Sequence, residues 1–305
     1  MNWRFSSQVL AATILASLGS PALGGRQQAT FKAGVDAVRV DAVVTVDGKP
    51  VRGLTAADFE VDDNGVPQTV ALADANARFN LVLVLDTSAS VKGQPLRDLV
   101  AAVQAALQQI QPGEQTALLT YDVNVTLRSP LTSDLAAVRR SLDSVDPASA
   151  TAMHDAVFAG LSFGSPQVSS LLLLFSDGQD NASWLSAASM IDAARRADVV
   201  VCPVVAGIGI PAPRASSPGD RQPWSRRVMA ALAEQTGGRV FRAGPGTMMR
   251  DAFLSVLTEF RSRYLIAYTP TGVRNDDGWH RLEVRVKGKR AEVRARPGYM
   301  ARTSR

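Results

Sequence analysis

The chain has 305 residues, of which 46% are hydrophobic and 20% are charged, and its formal net charge is +5. This composition is ordinary for a globular protein and argues against a fibrous, coiled-coil or largely disordered chain. The single cysteine, Cys202, excludes an internal disulfide, so a folded core must hold the chain together. Because Cys202 lies within an apolar run, we expect a small buried side chain rather than a reactive thiol.

Residues 1–24 have the pattern of a secretory signal peptide. Arg4 supplies a positive charge, Val9–Leu18 is an apolar run, and Ala22-Leu23-Gly24 offers small residues at a cleavage site. The apolar run is too short to span a bilayer comfortably, although an uncleaved anchor is the alternative. We therefore expect an exported protein, periplasmic or secreted, with no transmembrane segment after cleavage.

Residues 31–78 have the pattern of a small N-terminal β segment. Apolar residues from Val38 to Ala42 alternate with charged ones, as in a strand with one buried face. Asp47-Gly48 and Asp63–Gly65 are turn signals between short apolar runs. Several short antiparallel strands are expected here.

Residues 79–262 show a different pattern, in which apolar runs alternate with amphipathic helices. The runs Leu81–Leu85, Ser170–Phe175 and Val199–Val205 predict strands that are buried on both faces. Their alternation with helices predicts right-handed crossovers and a doubly wound, mostly parallel α/β sheet of Rossmann-like architecture. A last helix over Thr247–Ser262 would complete this domain.

Residues 263–300 return to a strand pattern and form the predicted C-terminal β segment. Because the two β segments bracket the central domain, we expect them to pack together into one β module. The basic residues of the chain are concentrated after residue 262, whereas the N-terminal segment is acidic. This basic excess is either a solvated face or a surface for an acidic partner, and export disfavours nucleic acid.

Polar side chains follow two of the buried strands at their carboxyl ends, where ligands gather in open α/β sheets. Asp86 ends the first strand, and Ser88 and Ser90 alternate along the loop that follows, while Asp177 ends the second. Carboxylate and hydroxyl oxygens suit a hard divalent cation such as Mg²⁺, which takes about six oxygens near 2.1 Å. If the carboxylates act mainly through water, the neutral hydroxyls leave such an ion electron-poor, and the site then favours a carboxylate from outside over the activation of water.

The stretch from Asp86 to Ser90 resembles the metal-ion-dependent adhesion site of von Willebrand factor type A and integrin inserted domains, whose core motif is Asp-x-Ser-x-Ser. The resemblance covers about residues 79–262 and implies that Thr151 and Asp177 complete the ligand set from two further loops. It also implies a non-enzymatic protein–protein binding module, acting in adhesion or assembly. Its metal, Mg²⁺ with Mn²⁺ or Ca²⁺ as alternatives, would coordinate an Asp or Glu of a partner protein.

The flanking segments extend the resemblance over nearly the whole mature chain. The stretch 47–61 looks like the front end of exported von Willebrand factor type A–related proteins of acidobacteria. The stretches 261–268 and 294–299 look like their tail.

Simpler interpretations of the same residues remain open. Asp86, Ser88 and Ser90 could form only a strand-ending turn, and Asp177 with the following glycine an ordinary turn. Thr151 could be only a helix N-cap. We expect the His154 imidazole to be packed in the fold or to lie on the surface. We expect the Asp155 carboxylate to brace a loop.

Two other function classes are alternatives to the binding module. An envelope structural or assembly component would use the metal only to stabilise its fold. A Mg²⁺-dependent phosphatase-like hydrolase would use Asp86 as its nucleophile, but such enzymes carry a second Asp two residues on, where this chain has Ser88.

Overall fold

The computed structural model describes residues 37–73, 78–142, 150–206, 222–274, 278–288 and 290–301. These residues belong to one compact unit that spans Gly34–Arg305. The predicted signal peptide 1–24, the first residues of the segment 31–78 and the loop residues 207–221 lie outside the described part of the chain.

The N-terminal segment forms short strands, as its turn signals predict. Asp47 and Asn64 adopt the left-handed backbone conformation at φ +50° and +49°, and each is followed by a glycine that also has positive φ. The strands are β1 (Val38–Val46), β2 (Lys49–Pro50), β3 (Phe59–Asp63), β4 (Val66–Gln68) and β5 (Ala71–Leu72).

The middle of the chain alternates strands with helices. Its strands are β6 (Phe79–Asp86), β7 (Gln115–Tyr121), β8 (Val125–Thr132), β9 (Ser169–Ser176), β10 (Val200–Ala206) and β11 (Phe241–Ala243). Its helices are α1 (Gln94–Leu107), α2 (Leu135–Leu142), α3 (Met153–Leu161), α4 (Ala187–Arg196), α5 (Gln222–Thr236) and α6 (Thr247–Arg261). The last helix therefore ends one residue before the predicted boundary at Ser262.

These six strands form one sheet in the order β11-β10-β9-β6-β7-β8. Neighbouring strands are parallel except for β7 and β8, which are antiparallel. Leu81, Leu83 and Leu85 pack into the core on one face of the sheet, and Val82 and Val84 pack into the core on the other. The doubly wound α/β architecture predicted for this region is confirmed.

Burial within this domain also explains the single cysteine. Cys202 on β10 is a free thiol with 4% exposure, and burial raises its pKa to about 12. It is therefore an inert core residue, as expected. Among the described helices, none is both long enough and apolar enough to cross a bilayer.

The C-terminal segment pairs with the N-terminal one and closes the β module. It forms β12 (Tyr264–Tyr268), β13 (Trp279–Val286), β14 (Glu292–Arg294) and β15 (Gly298–Met300). One sheet has the order β14-β1-β12-β5, with β2 beside β1, and the other has the order β15-β13-β3-β4. Because β1 lies between β12 and β14, and β3 pairs with β13, the two segments pack together as the sequence led us to expect.

Part of the basic excess of the C-terminal segment is neutralised within the chain. Arg263 is 7% exposed and its Nε lies 2.6 Å from Asp41 Oδ1 on β1. Arg296 pairs with Asp198 at 2.9 Å, in the loop between α4 and β10. These ion pairs join the basic segment to the acidic N-terminal segment and to the α/β domain, so the basic residues are not simply a solvated face.

A buried polar cluster joins the two sheets of the β module. Asp63 is 0% exposed, and the hydroxyls of Tyr268 and Tyr299 both donate to its Oδ2 at 2.8 Å. His280 Nδ1 lies 2.8 Å from Oδ1. We call these four residues the Asp63 cluster. Sequence patterns do not predict this cluster, because Asp63 next to Asn64 and Gly65 has the pattern of a hairpin turn.

Candidate metal site

The two candidate carboxylates lie on adjacent strands at the carboxyl edge of the central sheet. Asp86 is the last residue of β6, and Asp177 directly follows β9. The strands are parallel neighbours, and Leu85 is paired with Phe175. Because paired strands lie about 4.8 Å apart, the two carboxylates come from neighbouring positions of one sheet edge.

The loop after β6 holds the two serines against Asp86. The backbone N–H of Ser88 donates to Asp86 Oδ1 at 2.9 Å, and the hydroxyl oxygens of Ser88 and Ser90 are 3.0 Å apart. Ser88 is 2% exposed, whereas Ser90 is exposed to solvent. The Asp-x-Ser-x-Ser stretch therefore folds into a tight loop in which the two hydroxyls converge beside the carboxylate.

Asp86 is a buried carboxylate with incomplete hydrogen bonding. It is 0% exposed, and within the described part of the chain its Oδ2 has no hydrogen-bond partner. Burial raises the pKa of Asp86 to about 6; hydrogen bonding from Ser88 partly opposes this rise, and the negative charge of Asp177 adds to it. A buried polar atom without a partner is costly, so this oxygen is available for a ligand that the protein itself does not provide.

The floor of the site is formed by the neighbouring strand β7. Thr87 donates to the carbonyl oxygen of Tyr121 through both its N–H, at 2.8 Å, and its hydroxyl, at 3.0 Å. The buried Tyr121 hydroxyl donates to the carbonyl oxygen of Phe175 at 3.0 Å. Its pKa is raised well above the ordinary value by burial and then by the charge of Asp86. Tyr121 thus ties the ends of β7 and β9 together beneath the two carboxylates.

Asp177 is fixed by the turn that follows it. Gln179 donates to Asp177 through its backbone N–H at 3.0 Å and its side-chain amide at 3.2 Å. Gly178 has φ +87°, a conformation that glycine adopts at no steric penalty, and this lets the chain fold back at once. The side chain of Asp177 is therefore engaged in a local turn, while its charge acts on Asp86.

Thr151 does not serve as a helix N-cap. The N-cap of α3 is Ala152, and it makes no side-chain capping bond. The N–H of Thr151 instead donates to the side-chain oxygen of Asn181 at 2.8 Å, and the N–H of Asn181 donates to the Thr151 carbonyl at 2.9 Å. The Ala152 N–H donates to the carbonyl of Asp122 at 2.7 Å. The capping interpretation of Thr151 is therefore wrong.

The structure brings the five candidate residues to one edge of the sheet, but it links them unequally. Asp86, Ser88 and Ser90 are joined by hydrogen bonds, and Asp177 acts on Asp86 through its charge. Thr151 is 5% exposed and is held by the loop after Asp177; among the described residues, no hydrogen bond joins it to the other four.

A second layer of side chains supports the loop that follows Asp177. Asp155 accepts from the backbone N–H groups of Trp184 and Leu185, each at 2.9 Å, as expected for a loop-bracing carboxylate. His154 is 3% exposed and its Nδ1 lies 3.3 Å from Asp180 Oδ2, so the imidazole is packed. Asn181 was not among the predicted ligands, and it links Thr151 to this loop through its own side chain.

The donor set fits a hard divalent cation. It combines two carboxylates with three hydroxyls, and one buried carboxylate oxygen lacks a partner within the chain. Among the described residues, no group of three or more His, Cys, Asp and Glu side chains is arranged to hold a metal. Binding of an ion at this edge would therefore depend on the hydroxyl oxygens, which is the chemistry of Mg²⁺-type rather than thiolate or imidazole sites.

Comparisons with known proteins agree with this architecture. A family model described as von Willebrand factor type A domain matches residues 81–179, a range that includes all five candidate residues. No protein in a search of curated sequences matches the chain.

Three solved structures illustrate the similarity of fold. A von Willebrand factor type A protein from Catenulispora acidiphila is 12% identical, with a TM-score of 0.50 over 86% of this chain and 73% of that one. Proximal thread matrix protein 1 from the mussel byssus, with a zinc-occupied MIDAS motif, is 18% identical. The alignment covers 65% of this chain and 49% of that one, with a TM-score of 0.49. The vWF domain of the type V pili tip protein Mfa5 from Porphyromonas gingivalis is 13% identical. The alignment covers 60% of this chain and 95% of that one, with a TM-score of 0.47. Residues 81–179 of the chain therefore match a von Willebrand factor type A domain.

Proposed function

We propose that the chain is a divalent-metal-dependent protein-binding module that acts in adhesion or assembly. The proposed ligands of the ion are Asp86, Ser88, Ser90, Thr151 and Asp177. The observation that carries the proposal is Asp86 Oδ2, which is buried and, among the described residues, without a hydrogen-bond partner. Burial of a carboxylate oxygen without a partner costs free energy, and a bound cation would compensate for this desolvation.

The composition of the site supports binding rather than catalysis. If the two carboxylates act on the ion mainly through water and the neutral hydroxyls bind it directly, the ion remains electron-poor. When bound, the ion would supply a Lewis acid that accepts a carboxylate oxygen from an Asp or Glu of a partner protein. We propose Mg²⁺ as the ion, with Mn²⁺ or Ca²⁺ as alternatives, because all three prefer oxygen ligands.

We also propose that the protein is not an enzyme. The position two residues after Asp86, where a phosphatase of this type needs an acid/base carboxylate, is held by Ser88. His154 Nδ1 lies 3.3 Å from Asp180 Oδ2 and 3.0 Å from the carbonyl oxygen of Leu185, so the imidazole braces the loop that follows Asp177. The pattern of residues 1–24 further supports export to the periplasm or the cell exterior.

The first test is chemical and thermal unfolding after metal stripping, with Mg²⁺, Mn²⁺ or Ca²⁺ added back. A ligand that binds only the native state stabilises it by about 2.7 kcal/mol at a hundredfold excess over its dissociation constant. We expect this gain in the wild type and its loss in Asp86→Ala. Asp192→Ala is the matched control, because Asp192 is an exposed carboxylate on α4 that pairs with Arg196 in the i,i+4 position.

The outcomes separate the proposal from its alternatives. A gain of equal size in Asp86→Ala, or no gain together with no binding heat in calorimetry, would contradict the proposed site. A gain in the wild type without any binding of acidic peptides would favour the structural component whose metal only stabilises the fold.

A further inference from the structure

Trp184 is an unusually exposed aromatic residue in the loop that leads from β9 to α4. It is 97% exposed, whereas the other exposed large hydrophobic side chains in the described part of the chain range from 37% to 55%. A tryptophan side chain has a large apolar surface and is enriched at the centres of binding interfaces. A single exposed side chain does not by itself indicate a binding surface. Trp184, however, has a braced backbone, lies near Thr151 and is accompanied by two further exposed apolar side chains.

The backbone around Trp184 is fixed. The N–H groups of Trp184 and Leu185 donate to the two oxygens of Asp155, each at 2.9 Å. Ser183 donates to Asp180 at 2.6 Å and accepts from the N–H of Asp155 at 3.2 Å. These hydrogen bonds hold the backbone before and after Trp184 in place. The indole is therefore exposed at a fixed backbone position.

Trp184 lies close to the proposed metal site. The N–H of Ala182 donates to the carbonyl of Thr151 at 3.1 Å. Two residues of extended chain span at most about 7 Å, so the Trp184 backbone lies within about 10 Å of Thr151. An extended peptide advances about 3.3 Å per residue, so this distance corresponds to roughly two to four residues of a bound segment.

Two more exposed apolar side chains extend the surface. Val123 is 50% exposed and follows Asp122, whose carbonyl accepts from the N–H of Ala152. Phe158 is 51% exposed and lies one helical turn after Asp155, the residue that holds the Trp184 backbone. Val123 and Trp184 therefore flank the Thr151 loop through separate hydrogen bonds, and Phe158 continues the surface along α3.

We propose that Val123, Phe158 and Trp184 form an apolar rim that contacts the residues on either side of the partner's carboxylate. The partner is a protein segment that presents an Asp or Glu to the metal and a large apolar side chain two to four positions away. The inference rests on the proposed function, because the metal supplies the anchor for the carboxylate. The carboxylate alone is present on every protein surface, so the rim is the source of selectivity.

The test is a selection from a random peptide library displayed on phage, with binding in Mg²⁺ and elution with a chelator. Wild type, Trp184→Ala and Trp184→Phe are compared, with Val46→Ala in the β module as the matched control, since Val46 is also an exposed aliphatic residue, at 37%. All four proteins are first checked for the same melting temperature and the same response to Mg²⁺.

For the wild type, we expect enrichment of an acidic residue with a large apolar residue two to four positions away. Trp184→Ala should keep the acidic preference and lose the apolar one, and a synthetic peptide from the wild-type pool should bind it at least tenfold more weakly. Trp184→Phe should retain most of the affinity, and Val46→Ala should behave as the wild type.

The two proposals fail in different ways. Acidic enrichment without an apolar preference, or an apolar preference that persists in Trp184→Ala, would overturn the rim and leave the metal-dependent binding module intact. Absence of acidic, chelator-sensitive peptides in the wild-type pool would overturn the proposed function and the rim together.

Discussion

Asp63 in the β module and Asp86 at the edge of the central sheet are both completely buried carboxylates, but their surroundings differ. Asp63 Oδ2 accepts from two tyrosine hydroxyls, and its Oδ1 lies 2.8 Å from a histidine nitrogen. Asp86 Oδ1 accepts the backbone N–H of Ser88, and among the described residues its Oδ2 has no partner within hydrogen-bonding distance. Burial by itself therefore does not distinguish a structural carboxylate from a binding one.

The difference in hydrogen bonding has a clear physical meaning. A fully bonded buried carboxylate stabilises the contacts between the elements that supply its donors, here β12, β13 and β15 around β3. A partly bonded one destabilises the empty protein and so gains the most from an added cation. On this basis the Asp63 cluster stabilises the pairing of the N-terminal and C-terminal segments, and the edge at Asp86 is where we propose that a ligand binds.

The largest effect is expected for Asp63→Ala. Removal of the carboxylate takes away the acceptor that the Tyr268 and Tyr299 hydroxyls share, and each buried polar group that is left unsatisfied costs about 1–3 kcal/mol. We expect a loss of about 3–5 kcal/mol in the free energy of unfolding, measured by urea denaturation. Asp62→Ala is the matched control, because Asp62 is the preceding residue on β3 and pairs with the exposed Arg285; it should lose at most about 1 kcal/mol. Equal losses in the two variants would contradict a special role for the cluster.

In the absence of metal, we expect Asp86→Asn to raise the free energy of unfolding, whereas Asp63→Ala lowers it. The folded-state pKa of Asp86, about 6, is above its ordinary value of 3.8, chiefly because of burial. The native state therefore holds the proton more tightly, and stability falls as the pH rises from 3.8 through 6. A shift of this size corresponds to about 3 kcal/mol, so the metal-free variant should be more stable than the wild type by up to that amount at pH 8.

This prediction is checked by urea unfolding in chelator between pH 4 and pH 8. The difference between Asp86→Asn and the wild type should be smallest near pH 4 and should reach its plateau above pH 7. Saturating Mg²⁺ should remove or reverse it, since only the wild type keeps the carboxylate. A variant that is less stable than the metal-free wild type at pH 8 would show that Asp86 is compensated within the chain.

Much of this arrangement could be predicted from the sequence, since it depends on local patterns. The apolar runs that end at Asp86 and before Asp177 indicate strands buried on both faces, and a parallel sheet brings their carboxyl ends together. The alternation of Asp86, Ser88 and Ser90 lies within one loop. Thr151 was identified only by resemblance, because its position is set by hydrogen bonds to Asn181, thirty residues further along the chain.

The features that were missed depend on contacts between distant parts of the chain. Asp63 and Tyr299 are 236 positions apart, and Asp63 by itself looks like part of an Asp-Asn-Gly turn. The exposure of Trp184 follows from the bracing of its backbone by Asp155, and no periodicity in the sequence reports which way a loop residue points. Pairing of side chains across two sheets and exposure in loops are therefore known only from the structure.

The smallest effects on the free energy of unfolding are expected for substitutions of the two tyrosines that donate to Asp63. They test whether complete hydrogen bonding is what distinguishes Asp63 from Asp86. Both hydroxyls donate to Oδ2 at 2.8 Å, but Tyr268 is 1% exposed and Tyr299 is half-buried. In Tyr299→Phe, water can replace the lost donor, so we expect a loss of about 1 kcal/mol in urea unfolding. In Tyr268→Phe no water reaches the site, and the loss should be about 2 kcal/mol. A graded series from Asp63→Ala through Tyr268→Phe to Tyr299→Phe would mean that the number of satisfied partners sets the stability of a buried carboxylate, which is the premise on which we propose a ligand at Asp86.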